Sequence, residues 1–209
     1  MRAAALIGAL LVLVVAAPAG ANVLFNGDWE MGQIAWTQVS SDWGSDMAWT
    51  VTNNGPTAPE GTLTCTTGSF GWFQVAEVPV GQEAAVTADW SGNDISWAEV
   101  MLWTVPVGTT LEDVEATFDS GPAEAIAYKK DAFGMNPPTT WDWEPAALSP
   151  HPSGNGGTVI SQGLVVVGLK LGGQANSPSL SFDNIVLTPE PAAALLLGLP
   201  IVFLRRRRS

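Results

Sequence analysis

The chain has 209 residues, a formal net charge of −12, one cysteine and one histidine. Between residues 22 and 188 the only basic side chains are Lys129, Lys130 and Lys170, whereas every acid except Glu190 falls there, so this stretch is more acidic still. Phosphate backbones demand clustered Lys and Arg, which excludes nucleic acid as a partner. One cysteine excludes an intrachain disulfide, and one histidine excludes a multi-histidine metal site.

Met1 and Arg2 precede an almost unbroken apolar run over residues 3–17. Ala17-Pro18-Ala19 and Ala19-Gly20-Ala21 then offer the small-x-small pattern that a signal peptidase pocket admits. The run is shorter than the roughly 20 residues that span a bilayer, and turn-formers follow at once, so a secretion signal over residues 1–21 fits better than a permanent anchor.

From 22 to 188 short apolar stretches alternate with Gly, Pro, Asn, Ser and Thr, with no 3.6-residue periodicity, so the expected fold is one all-β domain. Strands are predicted over 23–25, 34–39, 48–52 and 71–80, and Cys65 sits in the strand-like run 62–66 as an inert, buried thiol. In Glu83-Ala84-Ala85-Val86-Thr87-Ala88-Asp89-Trp90 the period of two puts Ala84, Val86, Ala88 and Trp90 on one face. Pro79-Val80-Gly81-Gln82 supplies a turn that would pair this strand with the one before it. Further strands are expected over 96–105, 113–118, 123–129, 164–171 and 180–187. About ten strands over this length suit a two-sheet antiparallel β-sandwich. Residues 136–157, rich in proline and glycine and carrying His151, read as a long surface loop.

The end of the chain reads Pro189-Glu190-Pro191, a short apolar segment over 192–204, then Arg205, Arg206, Arg207, Arg208 and Ser209. The positive-inside rule keeps those arginines cytoplasmic and leaves the acidic domain across the membrane. The order of these three parts resembles the PEP-CTERM sorting tail. What the resemblance implies is removal of residues 189–209 by an exosortase-type enzyme after transient residence in the inner membrane. Delivery of residues 22–188 to the cell surface or its exopolysaccharide follows from it. An uncleaved single anchor is the alternative.

A second resemblance covers 22–188. Asn22-Val23-Leu24-Phe25-Asn26-Gly27-Asp28-Trp29-Glu30, followed by Trp36, looks like the first strand of galactose-binding-like jelly rolls, which include many carbohydrate-binding modules. Leu180-Ser181-Phe182-Asp183-Asn184-Ile185-Val186-Leu187 resembles the closing strand of that fold, and Trp72-Phe73-Gln74 with Pro79-Val80-Gly81 matches it loosely. The resemblance implies that Asn26-Gly27 starts a tight turn, that Trp29 packs beneath it and that Glu30 with Asp183 frames a structural calcium site. Calcium takes six to eight oxygens, so carbonyls around Asn26 and Asp28 would have to complete it.

No Gly-x-Ser-x-Gly elbow and no His/Cys metal spacing is present, so no enzyme is expected. Asp142 and Glu144 around Trp143, and the run Glu112, Asp113 and Glu115, read as solvated acids. The candidate ligand site is instead the strand 96–105. Alternation places Ala98, Val100 and Leu102 on a core face, and Trp97, Glu99, Met101 and Trp103 on the other. Indole rings stack on the C–H faces of sugars and a carboxylate accepts their hydroxyls. Trp97, Glu99 and Trp103, the two rings roughly 20 Å apart along a strand, would line an open polysaccharide groove, with Trp43, Trp141 and Trp143 extending it. The alternative is that the Trp/Met face is itself core. The functions in play are a glycan-binding surface module, a structural matrix component without a soluble ligand, and a glycoside hydrolase.

Overall fold

The structure, a computed structural model, describes residues 21–190 except 33, 41–47, 53–54, 58, 65–67, 119, 121, 131–138, 151–156 and 174–177. Residues 1–20 of the expected secretion signal, Cys65, His151, Trp43 and residues 191–209 lie outside the described residues. The elements in order are β1 (Thr37–Ser40), β2 (Ala48–Thr52), β3 (Glu60–Thr64), β4 (Gly68–Glu77), β5 (Glu83–Ile95) and β6 (Trp97–Pro106). Then come α1 (Leu111–Phe118), β7 (Ala125–Lys130), β8 (Thr139–Pro145), β9 (Ser149–Pro150), β10 (Thr158–Ile160), β11 (Gly163–Gly173) and β12 (Ser179–Pro189).

The expected sandwich is what forms. One antiparallel sheet runs β1-β4-β11-β6-β7-β9; the other runs β10-β5-β12-β3-β2, with β8 also on β5. Between them lies the main core: Ala84, Val86, Ala88 and Trp90 of β5 meet Ala98, Val100 and Leu102 of β6, Val165, Val167 and Leu169 of β11, and Leu180, Phe182 and Leu187 of β12. Both period-two readings of these strand faces hold, because each apolar side of a pleated strand must find the opposite sheet.

The N-terminal stretch 22–36 is irregular rather than a strand, yet it is firmly tied. Asn26 Oδ1 accepts the Met31 N–H at 2.8 Å, its Nδ2 donates to the Gly32 carbonyl at 2.8 Å, and Trp36 Nε1 donates to the Asn26 carbonyl at 3.2 Å. Trp29, fully buried, stacks on Trp36 at 5.1 Å and tilts against Trp72 at 5.0 Å. Gly61 makes room for it: a Cβ there would come within 2.7 Å of the Trp29 indole.

Three further expectations are corrected. Residues 113–118 are helical, not a strand. Val114 and Phe118 sit four apart on one helix face, and a reciprocal cap starts the helix: Asp113 N–H donates to Thr110 Oγ1 at 3.1 Å, and Thr110 N–H to Asp113 Oδ2 at 3.1 Å. The supposed loop 136–157 contains β8 and β9. Finally, β4 and β5 do not pair. The Pro79–Gln82 turn, closed by Gln82 N–H donating to the Pro79 carbonyl at 3.1 Å with Gly81 at φ +81, carries the chain from one sheet to the other.

Candidate functional site

β6 is buried over most of its length because both of its faces are covered. Its outer face meets a second apolar cluster in which Met101 and Trp103 join Phe73, Ile126 and Val166 beneath Val114 and Phe118 of α1. The Trp103 ring lies edge-on to Phe118 at 6.3 Å and is 2 % exposed. Gly168 admits this packing, since a Cβ there would reach within 2.9 Å of Trp103 and 3.0 Å of Met101. Trp103 therefore presents no face to a sugar, and the groove expected along Trp97, Glu99 and Trp103 is filled by α1. The helix is the cover that the strand reading of 113–118 concealed.

Trp97 escapes that cover on the same face. Trp97 is half-buried, and its Nε1 donates to Glu99 Oε1 at 2.6 Å. The β6–β11 register sets Lys170 opposite Glu99. Lys170 Nζ lies 5.8 Å from the Trp97 ring centre and 5.6 Å from that of Phe118, so the ammonium marks the border between the closed apolar cluster and the Trp97 end. Glu99 and Lys170 are buried. The set combines a partly exposed indole with a buried carboxylate and a buried cation that fix it, so what it can offer a sugar is the indole face. Lys170 is the member that strand alternation in β6 alone did not reveal; its place as the only charge in 164–171 was the available signal.

Trp141 and Trp143 do not extend this surface. Trp141 belongs to β8 on the opposite sheet, where it packs edge-on to Trp90 at 5.3 Å above Gly92. Asp142 and Glu144 alternate with it and are exposed.

Asp183 is fully buried at a bulge in β12, where Asn184 takes φ +51. Its Oδ2 accepts Thr57 N–H at 3.0 Å and Thr57 Oγ1 at 2.9 Å, and its Oδ1 accepts Asn184 N–H at 2.7 Å. The acid that shares its surroundings is Glu60, also buried, whose Oε2 accepts Gly55 N–H at 2.8 Å and whose Oε1 accepts Thr52 Oγ1. A Cβ on Gly55 would fall 2.9 Å from Asp183 Oδ2 and 3.3 Å from Glu60 Oε2. Glu30 is exposed on the 27–32 turn, and no hydrogen bond joins it to Asp183 among the described residues. Nor do the described residues contain a group of three or more His, Cys, Asp or Glu side chains able to hold a metal. Protein donors thus engage both oxygens of Asp183.

Of the tail motif, Pro189 ends β12 opposite Ala84 and is buried, while Glu190 N–H donates to the Glu83 carbonyl at 2.7 Å. Gln82 Nε2 donates to the Glu190 carbonyl at 2.8 Å. Pro191 and Arg205 to Arg208 lie outside the described residues. Among the described residues no helix is long and apolar enough to cross a membrane.

No family model matches the chain, and no curated protein matches it. Solved structures resemble it in fold. The enzymatically active domain of a tailspike protein of Bacteriophage CBA120 aligns with a TM-score of 0.49 at 11 % identity over 80 % of this chain, which spans about a fifth (21 %) of that one. The TmCBM61 module in complex with β-1,4-galactotriose aligns at 0.47 and 15 % identity over 81 % of this chain and 99 % of that one. A Stig cyclase from Fischerella sp. TAU aligns at 0.48 and 12 % identity, covering 82 % and 98 %.

Proposed function

We propose that the chain is an exported surface module whose β-sandwich retains polysaccharide at the Trp97 end of β6. The observation that carries the reading is the Trp97–Glu99–Lys170 set. A half-exposed indole is locked in place by its own N–H bond to a buried carboxylate, with an ammonium on the neighbouring strand. Such a platform is preorganised: little rotamer freedom is lost when a sugar ring settles on the indole. A buried carboxylate already engaged by the indole N–H suits binding rather than hydrolysis.

The export half rests on the two ends of the sequence. An apolar leader with small-x-small sites precedes the sandwich, and Pro189-Glu190-Pro191, an apolar segment and four arginines follow it. An exosortase-type enzyme is the partner that such a tail calls for.

The test of binding is retention of the chain on a panel of immobilised polysaccharides, with Trp97→Ala as the informative variant. Saturable retention lost in Trp97→Ala, with cooperative melting retained, is expected. Retention on no glycan, with self-association instead, would favour a structural matrix component. The test of export is fractionation of cells producing a tagged chain: material at full unprocessed mass in the cytoplasm would overturn that half.

A further inference from the structure

The strands assign the two ends of the sandwich. β4 and β6 finish, and β5 and β11 begin, at one end, where three turns meet: 78–82, 106–110 and 160–163. Gly81 N–H donates to the Ser161 carbonyl and Ser161 N–H to the Gln82 carbonyl, both at 2.8 Å, which locks the first turn to the third. At Gly163, φ is +120 and a Cβ would strike Val107 Cγ2 at 2.2 Å and lie 3.5 Å from Val80 Cγ2, so glycine is what lets the three turns close up. The residues they present outward are aliphatic. Val80 is 73 % exposed, Val107 74 % and Ile160 49 %. Val80 and Val107, with Glu77, Val78, Pro79 and Leu164, line a shallow cleft of about 500 Å³. Aliphatic tips clustered on turns, where polar residues are the rule, mark a surface that is covered in use.

The chain ends say by what. β12 finishes at this same end, and Glu190 is pinned there by Glu83 and Gln82, two residues beyond Val80. Residues 191–209 leave from that point, and their first 14 residues comprise Pro191 and the apolar run 192–204. The start of the sandwich lies beside it: Asn22 Oδ1 accepts Leu187 N–H at 3.0 Å, and Val23 N–H donates to the Leu187 carbonyl at 3.0 Å. The apolar stretches at both termini of the chain therefore depart from the end that carries the aliphatic turns. With Pro191 alone between the pinned Glu190 and the apolar run, a chain held in a bilayer by that run has almost no tether.

We propose that this end of the sandwich is a membrane-facing surface, with Val80, Val107 and Ile160 seated in the lipid interface while the tail is in the bilayer. The inference rests on the anchoring part of the export reading. Glu77, Glu83 and Glu190 ring the aliphatic turns, so the surface suits zwitterionic rather than anionic headgroups.

The experiment uses the full chain with Cys65→Ser, reconstituted in phosphatidylcholine vesicles containing brominated lipid. A single environment-sensitive label is introduced by Val80→Cys or Val107→Cys, both at strongly exposed positions. Asn93→Cys, about 30 Å away along β5, is the control. The labels at 80 and 107 are expected to lose about half their emission, at the interfacial depth reached by peripheral apolar side chains, and the label at 93 none. Sedimentation with vesicles but no quenching at 80 and 107, or equal quenching at 93, would overturn the end-on surface and leave anchoring intact. Failure to sediment would overturn both. Blue-shifted emission at 80 and 107 without vesicles would show the patch covered by the chain's own tail or a second copy, and would also overturn it.

Discussion

Trp97 and Trp103 leave the same face of the same strand and meet opposite fates, because Phe118 closes over one and Lys170 stands between it and the other. The consequence is a pair of variants that separate packing from binding. Trp103→Ala empties a site beneath α1 that the surrounding sheet cannot refill, and a loss of about 3–5 kcal/mol in urea unfolding is expected. Trp97→Ala removes the hydrogen bond to Glu99 and the cation–π contact with Lys170 at a half-open position, costing about 1–2 kcal/mol, and its main effect is expected in glycan retention. If Trp97→Ala unfolds as readily as Trp103→Ala, the Trp97 end is core and not a platform. The alternation that put both indoles on one face was legible in the sequence; which element covers that face was not. Cover is a property of distant residues, and here it comes from 114 and 118.

The helix shows how narrow the margin of local reading is. Val114, Ala116 and Phe118 alternate as a strand would, and Val114 and Phe118 are also four apart as a helix would have them, so eight residues cannot arbitrate by period. The Thr110-x-x-Asp113 cap decides it, and that signal was present in the sequence. Thr110→Ala removes the hydroxyl that accepts the Asp113 N–H and is expected to cost about 1 kcal/mol and to speed hydrogen exchange of the α1 amides. The Asp113 carboxyl is held below its ordinary value of 3.8, first by the Thr110 hydroxyl and then by the Thr110 N–H. A depressed carboxylate contributes stability above its unfolded pKa and loses it as pH falls through the folded value. Wild-type melting temperature should therefore drop below about pH 4 by more than that of Asp113→Asn, which lacks the titration. Superimposable acid limbs would remove the cap from the account. The Pro79–Gln82 turn teaches the same lesson: a tight turn serves a hairpin and a sheet-to-sheet corner equally well, and only the long-range partners of β4 and β5 distinguish them.

For the molecule as a whole, β12 is the strand on which everything else waits. It lies between β5 and β3, and where β3 stops, at Phe182, residues 22–27 take over: Asn22 Nδ2 donates to the Ile185 carbonyl at 3.1 Å, and Ile185 N–H donates to the Gly27 carbonyl at 3.0 Å. Closing the second sheet thus brings the first residue after the expected leader against nearly the last residues before the tail. Its side chains also complete the core, since Leu180, Phe182, Ile185 and Leu187 are fully buried. A chain from Asn22 that stops at Pro178 leaves β5 and β3 without their shared neighbour and exposes the main core along its length. It is expected to show no cooperative melt and to be degraded rapidly by a nonspecific protease. A chain that stops at Glu190 keeps the Glu83 and Gln82 bonds and is expected to melt at the temperature of the longer protein. Pro189 and Glu190 belong to the folded sheet, so a stop at Thr188 should lower that temperature measurably. An unchanged melt there would mean that the start of the Pro-Glu-Pro motif contributes nothing to the fold it is fastened to.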